Sequence, residues 1–294
     1  MRSPRSLLSA GNVRARKQLG QNFLNDPSVA RAIVNQAAIG GEDVVLEIGP
    51  GLGAMTAPAA AVAHRVIAVD KDARIVGLLR SELSAAAIDN VDIREGDILR
   101  VDLVSVAREA GRRLVVLGNL PYNISSQVLV QLIHARSGID RAVLMLQREM
   151  AQRVCAGPGS KRYGRLSVML GYCARPQVLM QVSASRFFPV PKVDSTVVGI
   201  RFAAPAPPAA DDEALLFQVV KAAFGKRRKT LKNALSQSDL ELVPDRCEGL
   251  LRAAGIDPMR RAESLSVAEF VHLSNVIGRE QGIRTEYEKT RTEC

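Results

Sequence analysis

Few of the residues that hold metal ions or form disulfide bonds occur in this sequence. Its 294 residues include 4 cysteines and 3 histidines. They are scattered along the chain: Cys155, Cys173, Cys247, Cys294, His64, His134 and His272. The cysteines form no Cys-x-x-Cys pair and the histidines match no ligand spacing, so we predict no metal site and no disulfide bond. Unpaired thiols of this kind are typical of a reducing, cytoplasmic compartment.

Long hydrophobic runs are also missing. No stretch approaches the roughly 18 apolar residues that a membrane-spanning helix needs. The only apolar patch between positions 1 and 17 is Leu7-Leu8. We therefore expect neither a membrane protein nor a signal peptide.

Acidic residues are the minority among the charged ones: 30 Asp and Glu stand against 40 Lys and Arg, which gives a net charge of +10. This balance suggests a polyanionic partner, although many basic proteins have none. Residues 1–16 lack periodicity and include Arg2, Arg5, Arg14 and Arg16. We expect a flexible basic arm there; the alternative is an arm that contacts phosphates.

The stretch from Val44 to Gly53 predicts a nucleotide-binding turn. A short, largely apolar run ending at Ile48 is followed by Gly49, Gly51 and Gly53, and an alanine-rich helical segment follows. Glycines let the backbone approach a ligand closely, and a helix N-terminus offers N–H groups to it. Asp70 ends the next apolar run, where an open α/β sheet places a carboxylate for ribose hydroxyls. These features predict a site for a cofactor that contains adenosine. Both NAD and S-adenosylmethionine contain adenosine, so this turn does not distinguish between them.

Strands and helices alternate after this turn, which predicts an α/β fold with a largely parallel sheet. The predicted strands are 44–48, 65–69, 91–94, 114–117, 142–146, 178–183 and 196–202, and the predicted helices are 72–83, 125–135, 148–154 and 166–173. Asp26 is predicted to cap an earlier helix that Pro27 opens. Polar residues lie at the carboxyl ends of four strands: Glu47, Asp70, Asp97 and the stretch Asn119–Tyr122. Because ligands bind at the carboxyl ends of such strands, we expect these residues to share one crevice.

A second, helical domain is predicted after an alanine- and proline-rich segment. Its helices are expected at 213–224, 228–235, 245–254 and 267–279. The domain organisation that we predict is an arm at 1–16, an α/β domain at 17–203, a linker at 204–210, a helical domain at 211–280 and a polar tail at 281–294.

The stretch Asn119-Leu120-Pro121-Tyr122 indicates the chemistry. An exocyclic adenine amine is a poor nucleophile because its lone pair is delocalised into the ring. Two acceptors, the Asn119 side-chain oxygen and the Leu120 carbonyl, can bind its hydrogens and pull the nitrogen toward tetrahedral geometry. Pro121 rigidifies the turn, and Tyr122 offers a face on which a flipped-out base can stack. This is positioning chemistry on a methyl donor and needs no strong base.

Together these motifs resemble the ribosomal RNA adenine N6,N6-dimethyltransferases. The matching stretches are 20–24, 47–53, Asp70, 96–98, 119–122, 187–195 and 224–235, in order from about residue 17 to about residue 277. The resemblance is strongest to the enzymes that modify the small ribosomal subunit. It implies a Rossmann-like, S-adenosylmethionine-dependent methyltransferase domain with a small all-helical C-terminal domain.

The resemblance also implies roles for individual residues. The implied S-adenosylmethionine site is lined by Gln21, Asn22, Leu24, Gly49, Gly51, Asp70, Asp97 and Asn119. The implied catalytic residues are Asn119, Leu120, Pro121, Tyr122 and Phe187, with Phe187 sandwiching the target base against Tyr122. A longer Glu is expected at position 70, so the Asp found there puts cofactor affinity in question more than function.

The implied substrate is small-subunit rRNA in a pre-assembled ribosomal particle, where two adjacent adenosines of the 3′-terminal hairpin would each be methylated twice. The implied RNA-binding cluster is Lys226, Arg227, Arg228, Lys229 and Lys232; the alternative is a solvated helix face. The segment 161–165 is a weaker candidate for the same role. We expect a monomer.

Three other functions remain open from the sequence. A large-subunit dimethylase of the macrolide-resistance type would share the cofactor motifs but not the basic cluster. A non-catalytic relative that binds nucleic acid would not require intact Asn119, Pro121, Tyr122 and Phe187. A NAD-dependent dehydrogenase would be expected to carry the Gly-x-Gly-x-x-Gly spacing, which is absent here.

Overall fold

Parallel strands form the framework of the fold, as the alternating pattern predicts. The computed structural model describes residues 2–203, 209–226, 228–240 and 242–292, except for the side chains of 17 and 281–292. The strands in that part of the chain are β1 (Phe23–Leu24), β2 (Val44–Ile48), β3 (Arg65–Asp70), β4 (Val91–Glu95), β5 (Leu114–Asn119), β6 (Ile139–Gln147), β7 (Ala174–Val182), β8 (Phe187–Phe188) and β9 (Ser195–Phe202).

The main sheet has the strand order β4-β3-β2-β5-β6-β9-β7. The first five strands in this order run parallel, and β9 pairs antiparallel with β6. All five residues of β2 are buried, which confirms the prediction of a strand covered on both faces. The strand order reverses between β2 and β5, and such a switch point opens a crevice at the carboxyl ends of the strands.

Helices connect these strands and make up the described part of the chain after β9. They are α1 (Pro4–Ala10), α2 (Pro27–Gln36), α3 (Thr56–Ala60), α4 (Ala73–Ala85), α5 (Leu103–Ala110), α6 (Ser125–His134), α7 (Arg148–Val154), α8 (Arg165–Cys173), α9 (Glu213–Phe224), α10 (Leu231–Ser236), α11 (Pro244–Ala253) and α12 (Val267–Thr292). The predicted cap of α2 is confirmed: the Asp26 side chain accepts hydrogen bonds from the Ser28 and Val29 amides, and Pro27 opens the helix.

The N-terminal segment is ordered, which corrects the expectation of a flexible arm. Helix α1 begins after Ser3, whose side chain accepts a hydrogen bond from the Ser6 amide. Leu7 and Leu8 are 2% and 4% exposed. They pack in one cluster with residues far along the chain, and this tertiary burial stabilises a helix too short to persist by itself. No periodicity was visible because the helix has only two turns.

The chain separates into two compact units. Unit 1 contains Met1–Gln152 and Arg175–Phe202, and unit 2 contains Arg153–Ala174 and Ala203–Cys294. The structure therefore differs from the linear division at 203, because α8 packs with α9 and α12 in unit 2. Positions 204–208 of the predicted linker lie outside the described residues.

Aromatic contacts hold unit 2 together. The Tyr163 ring meets Phe224 edge-on at 6.1 Å, and Tyr172 meets Phe217 in the same way at 6.1 Å. Such edge-to-face pairs add to the stabilisation from buried area. Helix α12 extends to Thr292, past the predicted end at 279; Glu, Arg and Lys in this stretch are good helix formers. The predicted polar tail therefore begins as helix.

Removing the cap of α2 should destabilise unit 1. Asp26→Ala leaves the Ser28 and Val29 amides without their partner, and we expect the melting temperature at pH 7 to fall by about 3 °C. Hydrogen bonds from Ser28 hold the pKa of Asp26 at about 2, below its ordinary value of 3.8. The difference between the proteins should therefore shrink as pH falls from about 4 through about 2. Thermal unfolding across this pH range measures it.

The matched control is Asp89→Ala, which removes an exposed aspartate outside any helix cap. An Asp26→Ala protein with the same melting temperature as the wild type at neutral pH would contradict the capping argument.

Candidate active site

The predicted site residues of unit 1 surround one cavity at the switch point of the sheet. The cavity has a volume of about 630 Å³, a size typical of cofactor sites. Its lining includes every residue predicted for cofactor binding or catalysis: Gln21, Asn22, Leu24, Gly49, Gly51, Asp70, Asp97, Asn119, Leu120, Pro121, Tyr122 and Phe187. Strand register explains the convergence, because Ile48 at the end of β2 pairs with Val69 of β3 and with Gly118 of β5.

The glycine turn after β2 is shaped by backbone conformations that favour glycine. Gly49, Gly51 and Gly53 have φ values of +67°, +56° and +86°, a region that other residues enter at a cost. Space is also short at Gly51, where a Cβ would lie 3.0 Å from Cδ1 of Phe23. Both constraints favour glycine at position 51, so no side chain covers the backbone there at the cavity wall.

Asp70 holds the glycine turn in place. Its Oδ2 accepts a hydrogen bond of 3.3 Å from the Gly51 amide, and its Oδ1 accepts one of 2.9 Å from the Asp72 amide. Burial raises the pKa of Asp70, and these hydrogen bonds oppose that shift. The shorter side chain of Asp, compared with the expected Glu, thus reaches the turn while lining the cavity.

The Asn119 amide is oriented by a distant segment. Its Nδ2 donates a 2.9 Å hydrogen bond to the Asn22 carbonyl, so its side-chain oxygen is the group that remains to accept. The following residue is tied to the sheet, since the Leu120 amide donates to the Met145 carbonyl at 3.1 Å. The Ser125 hydroxyl donates to the Tyr122 carbonyl at 3.1 Å, which anchors the end of the turn.

Tyr122 and Phe187 both line the cavity, in different surroundings. Burial raises the pKa of the Tyr122 hydroxyl, and hydrogen bonds with the Ser195 and Gln147 side chains oppose this shift. Phe187 is 3% exposed and belongs to the hydrophobic core. Its strand β8 pairs antiparallel with β1, where Leu24 is its partner. The Phe187 ring is thus a rigid part of the wall.

Two predicted cofactor residues already have partners within the protein. Asp97 accepts hydrogen bonds from the Leu99 amide at 3.1 Å and from Lys71 Nζ at 2.6 Å, and the bond from Lys71 is the main cause that lowers its pKa. Gln21 donates to Asp72 at 3.0 Å and accepts from the Arg16 amide. Asp97 therefore presents a carboxylate shared with an exposed cation, whereas Gln21 ties two loops together.

Some residues of the cavity wall escaped the sequence analysis. Lys71 and Met55 are examples, and the N-terminal residues Arg2, Ser3 and Pro4 also contribute. Lys71 carried a usable signal, since it follows directly after Asp70 at a strand end. The N-terminal residues carried none, because only packing brings them to the site.

Glu47 is fully buried behind the glycine turn, with the Thr56 side chain beside it. It is 0% exposed, and among the described residues neither its carboxylate oxygens nor the Thr56 hydroxyl make a hydrogen bond of good geometry. Burial raises the pKa of Glu47 to about 7, the Thr56 hydroxyl opposes this shift, and the Asp70 carboxylate adds to it. A base catalyst must reach the reacting proton, and Glu47 lies outside the cavity lining, so the expectation that it shares the crevice is wrong.

The predicted RNA-binding cluster belongs to unit 2. Lys226, Arg228 and Lys229 are exposed, and Lys226 donates to Gln237 at 2.6 Å. Lys232 pairs with Glu248 at 2.6 Å with only 28% of its side chain exposed, so part of its charge is neutralised within the protein. Arg227 lies outside the described residues. In the weaker candidate segment, Tyr163 is 4% exposed and packs in the core.

A family model excludes one of the open interpretations. The model described as ribosomal RNA adenine dimethylase matches residues 12–278. The chain belongs to the ribosomal RNA adenine dimethylase family. It is an rRNA adenine methyltransferase with a Rossmann-like fold, which excludes the dehydrogenase interpretation.

Relatives of this family support the assignment along nearly the whole chain. A protein of Desulforapulum autotrophicum named ribosomal RNA small subunit methyltransferase A is 48% identical, over 94% of this chain and 97% of the relative. A protein of the same name from Geobacillus thermodenitrificans is 41% identical, over 89% and 90%. Among solved structures, a dimethyladenosine transferase from Plasmodium falciparum superposes with a TM-score of 0.73 at 26% identity, covering 85% of this chain and 95% of that one.

The 23S rRNA methyltransferase ErmE shares the fold, with a TM-score of 0.65 at 24% identity, covering 87% of this chain and all of that one. Within the described residues, no cluster of three or more His, Cys, Asp or Glu could hold a metal ion. The helices described here include none with the length and apolar character that crossing a membrane requires.

Glu47→Gln should stabilise the protein increasingly as pH rises. Because the pKa of Glu47 is higher in the folded protein than its ordinary value of 4.5, the wild type loses stability between about pH 4.5 and about pH 7, where the carboxyl ionises in the unfolded chain but stays protonated in the folded protein. Glutamine stays neutral, so the stability difference between variant and wild type should grow by about 3 kcal/mol over this range. Urea unfolding at pH 5 and at pH 8 measures the change.

Glu95→Gln is the control, because Glu95 is exposed at the end of β4. A stability difference for Glu47→Gln that is the same at both pH values would show that the buried carboxyl is compensated.

Proposed function

We propose that this protein uses S-adenosylmethionine to dimethylate N6 of two adjacent adenosines in the 3′-terminal hairpin of 16S rRNA, as a cytoplasmic step of small-subunit biogenesis. The observation that carries the proposal is the arrangement of Asn119–Tyr122 on the same cavity as Gly49, Gly51 and Asp70. The names of the bacterial relatives support the small subunit as the target.

The residues of the cavity fit S-adenosylmethionine. Because Gly51 has no side chain, the methionine part of the cofactor can approach the backbone closely. A Cβ at this position would fill the space up to Phe23. Asp70 supplies a carboxylate for ribose hydroxyls and Asp97 one for the adenine amine, with Asn22, Leu24 and Gln21 on the surrounding wall. When bound, the cofactor supplies a methyl group on a positively charged sulfur. Lys71 would have to share or release Asp97.

The turn at Asn119 prepares the acceptor amine. The Asn22 carbonyl holds the Asn119 amide nitrogen, which leaves the side-chain oxygen to accept from adenine N6. The Leu120 carbonyl is the second acceptor, and Pro121 limits the motion of the turn. Tyr122 and Phe187 would hold the base between their rings. Since N6-monomethyladenosine retains one N–H, the same site can act a second time.

Unit 2 is suited to hold the RNA backbone. Lys226, Arg228 and Lys229 are exposed and close in sequence, and phosphates bind such clusters through release of counterions. With Arg227 and Lys232 they form the proposed RNA-binding site of unit 2. The proposed form of the protein is a monomer.

Transfer of labelled methyl groups tests the proposal. Unmethylated small ribosomal subunits are incubated with labelled S-adenosylmethionine, and nucleosides of the digested rRNA are identified by mass spectrometry. We expect N6,N6-dimethyladenosine at the 3′-terminal hairpin. Asn119→Ala should slow transfer by at least about 100-fold while the cofactor still binds, and Asn35→Ala on the exposed face of α2 should have no effect.

Each other outcome points elsewhere. Full activity of Asn119→Ala would overturn the proposed mechanism. Transfer only to large-subunit rRNA would favour a macrolide-resistance type, and no transfer despite bound cofactor would favour a nucleic-acid-binding protein without catalysis.

Neutralising the basic cluster should weaken RNA binding and flatten its salt dependence. We expect the triple variant Lys226→Gln, Arg228→Gln, Lys229→Gln to lose about one unit of the salt slope for each phosphate contact removed. Titration of small-subunit rRNA at several salt concentrations measures the slope.

The control triple variant Arg108→Gln, Arg175→Gln, Arg201→Gln removes the same charge from exposed positions of unit 1. An unchanged slope in the cluster variant, or an equal change in the control, would remove the cluster from the interface.

A further inference from the structure

The N-terminal helix packs against the residues that flank the glycine turn. Leu7 and Leu8 of α1 form one hydrophobic cluster with Phe23, Leu52 and Ile75. Leu52 belongs to the glycine turn itself, and the Phe23 ring packs against Gly51 of this turn. The residues of this cluster come from segments that are widely separated in sequence, so α1 connects them.

Three contacts fix this helix to α4. Arg2 forms a 2.5 Å ion pair with Glu82, and Glu82 is only 8% exposed. Gly11 lies so close to α4 that a Cβ would fall 2.5 Å from Cδ2 of Leu78. Ile75 of α4 is fully buried in the shared cluster. Helix α1 is therefore a packed part of unit 1.

Phe23 transmits this packing to the cofactor site. Its ring lies directly against Gly51, as the 3.0 Å approach of a Cβ at that position shows. Gly51 in turn donates to Asp70. The neighbouring Asn22 carbonyl holds Asn119. Any shift of Phe23 would thus disturb both the glycine turn and the segment that orients the Asn119 amide.

We propose that Leu7 and Leu8 are positioning residues for the cofactor, which hold Phe23 and Leu52 against the glycine turn. This inference rests on the proposed binding of S-adenosylmethionine in the cavity. If the side chains are truncated, Phe23 gains room and the turn spends less time in its binding-competent arrangement. The apparent affinity for the cofactor is then the intrinsic affinity multiplied by the fraction of molecules in the binding-competent arrangement.

The double variant Leu7→Ala, Leu8→Ala tests this inference in the full chain. Its affinity for S-adenosylhomocysteine, an unreactive probe, is measured by calorimetry at a temperature below its own melting transition. With about a tenth of the molecules competent, we expect the Kd to rise about ten-fold. The KM for S-adenosylmethionine should rise likewise, with kcat retained at saturation. Leu7→Met, Leu8→Met keeps apolar volume and should restore affinity.

A matched variant separates positioning from loss of stability. Leu103→Ala, Leu132→Ala removes two equally buried leucines from α5 and α6, outside the cavity lining. It should melt at a lower temperature and bind the probe as the wild type does. Where the double variant at Leu7 and Leu8 fails to fold, Leu8→Ala alone should shift the Kd in the same direction by a smaller factor.

Two results would overturn the inference. One is unchanged affinity in the Leu7 and Leu8 variants, and the other is an equal loss of affinity in the Leu103 and Leu132 variant. A wild-type protein that fails to bind S-adenosylhomocysteine would instead contradict the proposed cofactor, and the inference with it.

Discussion

The hydrogen bond from Asn119 to the Asn22 carbonyl joins two segments that lie 97 residues apart. One partner stands at the end of a central strand, and the other lies in the loop before α2. The proposed mechanism depends on where the Asn119 side-chain oxygen points, and a side-chain amide has no orientation of its own. Its orientation comes from the loop, which in turn is held by β1, β8 and the cluster around α1.

The site concentrates negative charge in a buried place, at a cost in stability. The buried Glu47 carboxyl makes no hydrogen bond of good geometry among the described residues, and Asp70 stands close enough to raise the pKa of Glu47 further. Local rules of folding are commonly broken at functional sites. The sheet around them compensates, since β2, β3 and β5 are almost entirely buried and pair in parallel.

Methyl transfer to an amine places modest demands on acid–base chemistry. The nitrogen that has received a methyl group loses a proton readily, so a strong general base is unnecessary. In the proposed mechanism the demands are instead on position: two acceptors, two aromatic faces and a donor brought into line. The proposed mechanism accordingly relies on amides, carbonyls, glycines and rings of the cavity wall, with the carboxylates in supporting positions.

The amino-acid sequence by itself determined the α/β alternation, the glycine turn, the capped helix at Asp26 and the identity of the strand-end residues. These features depend on local patterns such as apolar runs, glycine spacing and caps, which are visible without a structure. Only the tertiary structure decided that α1 is ordered, that α8 packs with the helical unit, that Lys71 pairs with Asp97 and that Glu47 is fully buried. Each depends on contacts between residues distant in sequence, and no local pattern encodes such contacts.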